Sequence, residues 1–306
     1  MNLNERLASR YITALEASDP DFIATLHSFR GNAAQGLSDI FLPTVSTSYA
    51  DAPVKVMVLG RETKGWSYPG QIGSLTEYVR VGMNKHRDFR DSERCLLSKS
   101  HPSGLIRLLK GICKQTSQAG LIYSNLFAVD HNKRDPRSNK QAWPHVRSLS
   151  KQLLDIQIEV LQPDIIVFAN GIDSAAERRE FFPHAPAVLH RCTDPHSPWE
   201  VQGISKDHLW GYKLDGRIQC YRIHHPSSRV QKTEAKKARN HLFGLLREAS
   251  RVAAEGYPVS EELGCRRLLQ WPLLAGSRHQ TWQIRSGTTA RLREGARRGY
   301  RTPSNA

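Results

Sequence analysis

The sequence predicts an α/β fold, a three-layer α/β/α sandwich around a central, mostly parallel four-stranded sheet. Two features carry this prediction. Four short runs are apolar almost throughout, as strands buried on both faces of a parallel sheet must be. The connections between them are long enough for crossover helices, and two of them carry apolar residues at helical spacing. At 306 residues the chain is long enough to bury a sizeable core, and no internal repeat divides it.

In order, "ERLASRYITALEA" and "DFIATLHSFRG" have helical spacing and predict a leading helical pair. The predicted strands are "VKVMVLG" (Val54 to Gly60), "LIYSNLF" (Leu121 to Phe127), "PDIIVFANG" (Pro163 to Gly171) and "IQCYRIHH" (Ile218 to His225). Between them "SGLIRLLKGICKQ" and "VRSLSKQLLDIQIEVLQ" predict helices, and Lys232 to Ala254 predicts a final amphipathic helix with a cationic opening. From about Gly256 the composition turns to arginine, glycine and small polar residues. The expectation is therefore one domain over residues 1–255 and a poorly ordered basic extension over 256–306, either a solvated tail or a DNA-tracking arm.

Charge gives the first indication of function. With 44 Lys and Arg against 29 Asp and Glu, the formal net charge is +15, which attracts polyanions and points to nucleic acid. No apolar run approaches the roughly 20 residues of a membrane span, and "MNLNERLASRYI" lacks a signal-peptide layout, so a cytoplasmic protein without membrane association is expected. The five cysteines form no CxxC pair, which argues against a disulfide framework and a cysteine-ligated iron–sulfur cluster. The spacing of His190, Cys192 and His196 in "HRCTDPH" fits no standard metal site. No metal and no organic cofactor are expected.

In open α/β sheets ligands sit beyond the carboxyl ends of the strands, and here all four ends are polar. The first ends in "GRETKGW": Gly60 permits a tight turn, and Glu62 puts a carboxylate at the mouth of the sheet or serves as an ordinary cap or surface acid. The Gly60–Gly65 spacing is half of a phosphate-binding loop, but Trp66 stands where the motif requires Lys, which excludes it. Asn125 lies in an apolar run, where its carboxamide either pairs with a core backbone group or reads a planar edge such as that of a pyrimidine. Asn170 and Gly171 open a predicted helix whose free amides suit a DNA phosphate. In "HHPSS", Pro226 stiffens the turn after His225, and Ser227 and Ser228 offer hydroxyls or amides to phosphates.

These residues carry a resemblance. Glycine plus an acid after the first strand, Asn in the second and "HPS" after the last resemble the uracil-DNA glycosylase superfamily, over about Val54 to Val230. "GRET" is similar to the start of its GQDPYH motif, "SNLF" to its base-reading Asn segment and "HPSS" to its HPSP motif. Three departures are visible. No Pro-Tyr follows Glu62, the stretch from Ser67 to Gly120 is long and polar, and Arg229 stands where that family has an intercalating Leu.

The resemblance implies a monofunctional DNA glycosylase, acting as a monomer on double- or single-stranded DNA, that hydrolyses the N-glycosidic bond of a flipped pyrimidine and leaves an abasic site. Glu62 would orient water and offset the cationic sugar. His225, neutral, would donate to the base as it leaves with negative charge. Asn125 would read the base, and Trp66 would stack on it or pack in the core. Gly60, Arg61, Thr63, Asn170, Gly171, Ser227, Ser228 and Arg229 would meet the DNA backbone, with Arg229 alternatively filling the vacated space.

The family's Tyr guards against groups at pyrimidine C5, and its absence here admits larger bases. Polar segments such as His196 to Gly216 would contact the substituent. A modified cytosine of phage DNA, such as glucosylated hydroxymethylcytosine, is thus the expected substrate, with antiviral defence the role. Uracil repair is the alternative, and a catalytically inactive DNA-binding module the reading from another class. Lys64 near the sugar would add lyase activity, although a solvated lysine is the simpler expectation. A metal nuclease is disfavoured, because the strand ends offer one carboxylate rather than a cluster.

Overall fold

Six strands form one sheet: β1 (Val56–Gly60), β2 (Leu121–Asn125), β3 (Ile165–Phe168), β4 (Cys192–His196), β5 (Leu209–Leu214) and β6 (Ile218–Ile223). Their order is β2-β1-β3-β6-β5-β4. This computed structural model describes residues 1–30, 36–91, 103–184, 191–227 and 232–256. The expected basic extension, apart from Gly256, lies outside the described residues.

The four predicted strands are the parallel ones, β2, β1, β3 and β6. Their burial is continuous, apart from a half-buried Tyr123, which is why they read as apolar runs. The expected strand number of four is corrected to six, because β5 joins β6 and β4 joins β5, both antiparallel. The β5–β6 turn centres on Asp215 and Gly216, both at positive φ (51° and 65°), the Asp-Gly pairing that a tight hairpin favours. Edge strand β4 contains Pro195 and a register irregularity, both tolerated only where no further strand must pair. The His196–Gly216 stretch, expected as loops over the cleft, is thus largely strand and a short 3₁₀ turn (Pro198–Gln202) that buries Trp199.

Helices cover both faces of the sheet. On one side lie α1 (Leu3–Glu16), α4 (Leu75–Asp91) and α6 (Trp143–Leu161), packed over Met57, Leu59, Ile122, Ile166 and Phe168. On the other lie α5 (Gly104–Cys113) and α8 (Lys232–Ala254), packed over Val56, Val58, Val167 and Tyr221. This alternation of neighbouring strand residues between two cores is the three-layer architecture. In α8 the buried residues Ala238, Leu242, Leu245, Leu246 and Ala249 form one helical stripe. Asn2 and Glu5 close a reciprocal capping box at the start of α1.

Two helical expectations change. The second leading helix is split into α2 (Pro20–Ile23) and α3 (His27–Arg30). Thr25 turns its hydroxyl back onto the Phe22 carbonyl at 2.6 Å, while buried Asp39 accepts from the Ser28 amide at 2.9 Å and starts a new turn there. The polar stretch after Ser67 contains α4, whose buried Tyr78, Val79, Gly82, Met83 and His86 are diluted by charged residues on its outer face. A further helix between strands, α7 (Ala175–Phe181), follows β3. Among the described residues no helix is long and apolar enough to cross a membrane.

Candidate active site

Parallel pairing brings the ends of β1, β2, β3 and β6 to one edge of the sheet, with Gly60 directly opposite Asn125 and Phe168 between Leu59 and Arg222. Pairing continues past the strands, since the Leu126 amide donates to the Gly60 carbonyl (2.9 Å) and the Phe127 amide to that of Arg61 (2.8 Å). The following loops therefore leave the sheet in fixed directions. A cleft of about 730 Å³ near α1 and α4 contains none of the expected site residues.

Asn125 is 3 % exposed, and its Oδ1 accepts from the Tyr123 hydroxyl at 2.9 Å. Its Nδ2 has no partner among the described residues, so a buried donor stands ready at the strand end. The backbone pairing that was the ordinary reading of this Asn is replaced by a side-chain pair. Tyr123, two residues earlier and so on the same strand face, went unnoticed in the sequence, although its period-2 position was legible. Its ring meets Phe41 (centroids 5.3 Å apart) and Phe89 (6.1 Å), both of which also contact Trp66, at 4.7 and 6.0 Å. Trp66 is half-buried in this aromatic group, with the Lys85 ammonium 5.0 Å from its ring, and so packs against Phe41 and Phe89 rather than standing free.

His225 is half-buried, and its Nδ1 accepts from the Ser227 amide at 3.2 Å. That bond places the neutral ring's proton on Nε2, the nitrogen left to donate elsewhere. Burial pushes the His225 pKa down, and the Arg61 charge pushes it further against the opposing pull of Glu62 and Asp173. The turn that carries the ring is closely packed on two sides. Gly171, at φ 78°, sits so near that a Cβ there would lie 3.2 Å from the His225 Cβ. A Cβ on Gly104, at the start of α5, would lie 2.5 Å from the Pro226 carbonyl oxygen.

Glu62 does not stand alone as the sequence suggested. Its side chain is 14 % exposed, and Arg61 grips both carboxylate oxygens, through Nε to Oε2 and through Nη2 to Oε1 at 3.0 Å. Arg61 also faces Asp173 at 3.8 Å. Asp173 and this Arg61–Glu62 pair are the polar neighbours of His225 that sequence reasoning missed, since nothing local marks Asp173 as turned toward the first loop.

Three expected DNA contacts are corrected. Thr63 is 6 % exposed and its hydroxyl donates to Asp130 Oδ2 at 2.7 Å, so it points inward. Asp130 accepts as well from the amides of Gly65 (2.6 Å) and Lys133 (2.8 Å), and pins the loop after β1 to the loop after β2. Asn170 and Gly171 do not open a helix, because α7 begins at Ala175 and Ser174 gives it no side-chain cap. Both residues are buried, Gly171 against His225, and Asn170 with no partner for either carboxamide atom among the described residues.

Ser227 is exposed beside His225, Lys64 is exposed, and Ser228 and Arg229 lie outside the described residues. Of the histidine and cysteine stretch, His190 lies outside the described residues, Cys192 bonds the Phe182 carbonyl, and His196 bonds its own neighbour's backbone. Among the described residues no group of three or more His, Cys, Asp and Glu side chains is placed to hold a metal. On α8, Arg239 is pushed below the ordinary guanidinium range by burial and by the nearby charge of Arg107 on α5, so two cations meet on the helices that flank the HPS turn. No protein-family model matches the chain, and no curated protein matches it.

Proposed function

We propose that this protein is a DNA glycosylase that hydrolyses the N-glycosidic bond of a flipped pyrimidine. The observation that carries the proposal is the placement, at one sheet edge, of two donors without partners among the described residues, of the kind a leaving pyrimidine requires. These are Asn125 Nδ2 and the Nε2–H of a neutral His225, with the Glu62 carboxylate near His225. The bond breaks with positive charge on the sugar and negative charge on the base. Glu62 offsets the first and orients water toward the anomeric carbon. His225 Nε2 donates to the base oxygen on which charge accumulates, and Asn125 Nδ2 donates to an acceptor on the base edge. The excess of cationic side chains supplies a sequence-independent attraction to DNA.

A C5-modified cytosine, such as the glucosylated hydroxymethylcytosine of phage DNA, is the substrate we favour, in a defence role. After Glu62, Thr63 turns inward, Lys64 is exposed and Gly65 has no side chain, so these three residues present no aromatic wall. The Arg61–Glu62 pair favours a second reading, a DNA-binding module without activity, because the bonded guanidinium already offsets the carboxylate charge that a cationic sugar would draw on.

Mass spectrometry of bases released from uracil-containing DNA, unmodified DNA and glucosylated phage DNA tests these readings, with wild type and Glu62→Ala compared. Release of the modified base by wild type alone supports the proposal, and release of uracil alone makes the protein a repair glycosylase. Binding to all three DNAs with no base released leaves the binding module.

A further inference from the structure

Beside Gly171, two arginines are buried close to one another. Arg178 on α7 is 2 % exposed and Arg222 on β6 is 7 % exposed. The Arg222 Nη1 and Nη2 groups donate to the carbonyls of Asp207 (2.9 Å) and Lys206 (2.7 Å), and Arg178 Nη1 reaches the Gly171 carbonyl at 3.5 Å. Both Nε–H groups lack an acceptor, and neither guanidinium forms an ion pair, among the described residues. Two further buried polar atoms beside them are equally unmatched, the Tyr212 hydroxyl and His184 Nε2. The His184 ring stacks on Trp210 (5.1 Å) and meets Tyr212 (4.8 Å), and the Arg222 guanidinium lies 5.8 Å from the Trp210 ring.

Burial and mutual repulsion show in the titration of the group. Arg222 is pushed down to about 10 by burial and then by the charge of Arg178. His184 is pushed down to about 4 by burial and then by Arg178 and Arg179, which keeps it neutral. Burying one cation without an ion pair is costly, and burying two side by side is costlier; Asp207 eases Arg222 through its charge, but no carboxylate bonds either guanidinium among the described residues. The missing component is a compact, multiply accepting anion. The unmatched groups come from α7, the segment after it, β5 and β6, and they are neighbours: the His184 and Tyr212 rings lie 4.8 Å apart, and the Arg178 charge acts on both Arg222 and His184.

We infer that Arg178, Arg222, Tyr212 and His184 form a binding site for a tetrahedral oxyanion of the phosphate class, either free phosphate or a phosphodiester of DNA. The site is separate from the glycosylase reading and does not rest on it.

Thermal unfolding and ³¹P line broadening, with the full chain titrated by potassium phosphate against potassium chloride at equal ionic strength, test this site. A saturable, phosphate-specific rise in Tm in wild type is expected. Arg178→Met and Arg222→Met should weaken phosphate by about 30-fold or more, while exposed Arg251→Met leaves it unchanged. Absence of a phosphate-specific response in wild type, or an equal response in both buried-arginine variants, would overturn the inference. Wild type decides the first point even where a variant fails to fold. Duplex-DNA affinity in chloride then separates the two sources. A parallel loss of DNA affinity in Arg178→Met assigns the site to a phosphodiester, and unchanged DNA affinity assigns it to the free anion.

Discussion

Gly60 and Asn125 face each other across β1 and β2 so closely that a Cβ at residue 60 would stand 2.4 Å from the Asn125 carboxamide oxygen. The glycine is therefore the space into which the carboxamide fits, rather than a turn residue. Gly60→Ala must push Asn125 off its bond with Tyr123, because the strand pairing holds both backbones in place. On the glycosylase reading kcat/KM falls about 10²-fold, the usual effect of displacing a positioning group by about 1 Å. Asn125→Ala should fall by a similar factor, and the double variant should add little. Single-turnover rates on the best substrate measure this, and full additivity would show that Gly60 acts elsewhere.

The Ser227 amide fixes the tautomer of His225, and burial with the Arg61 charge keeps the ring neutral. A neutral donor remains active as pH falls through the ordinary histidine range and is lost only once the lowered folded-state pKa is crossed. The acid limb of kcat/KM assigned to His225 should thus lie below about 6.5, the unperturbed value. On the glycosylase reading, His225→Ala should reduce the rate by about 10²–10³ and abolish that limb, with DNA affinity preserved. An acid limb above the unperturbed value would mean that the charged ring is the active form.

The parallel part of the sheet was legible in the sequence because strands buried on both faces must be apolar throughout, and Val56–Gly60 and Ile165–Phe168 are. Asn125 and His225 stood out because each interrupts such a run. Strand β5 was not legible as apolar alternation, since Trp210, Gly211 and Lys213 dilute it, and the Asp215–Gly216 pair, a hairpin signal, went unread within a segment expected as polar loop. The inward turn of Thr63 could not be read, because its partner Asp130 is 67 residues away and only the β1–β2 pairing joins them. For the same reason the Arg61 grip on Glu62 was invisible: adjacent residues pair only when the loop between strands bends both toward one point.

Asp130 gathers three strong donors from two loops while only 1 % exposed. Asp130→Ala leaves the Gly65 and Lys133 amides and the Thr63 hydroxyl without their acceptor, and should cost about 3 kcal/mol. Thr63→Val removes one neutral partner and should cost about 1 kcal/mol. Because the two share one bond, the double variant should cost less than their sum. Urea denaturation at neutral pH measures all three. Equal, additive losses would show that Thr63 does not act through Asp130.

His86 is buried at the core side of α4, and its Nδ1 accepts from the Thr44 amide at 2.9 Å. Burial, then the Arg90 charge, lowers its pKa from 6.5 to about 3. The folded state therefore refuses a proton that the unfolded chain accepts. The contribution is intact above pH 6.5 and is lost progressively as pH falls toward 3. Within that window each such histidine adds about 1.4 kcal/mol of lost stability per pH unit. His184, His224, His225 and His241 are lowered in the same sense, so His86→Gln should flatten the stability curve by one proton's worth rather than remove its slope. Unfolding free energies from pH 7 to 4 test this, with an unchanged slope in the variant as the contrary outcome.

Arg61 acts on two groups at once, and a single substitution separates its roles. Its two-point bond leaves each Glu62 oxygen with a free lone pair, so the carboxylate is oriented without losing its capacity to accept from water. On the glycosylase reading, Arg61→Ala should therefore loosen Glu62 and lower kcat about tenfold with KM little changed, the pattern of an interaction that matters in the transition state. It should also raise the His225 pKa, because the second-largest cause of its depression disappears while Glu62 and Asp173 remain. Proton-detected titration of the ring reads that shift independently of turnover. A raised pKa with unchanged kcat would mean that Arg61 holds Glu62 without serving the reaction. A raised kcat would mean that Arg61 masks the carboxylate in the resting enzyme, and that DNA must draw it away before water can be activated.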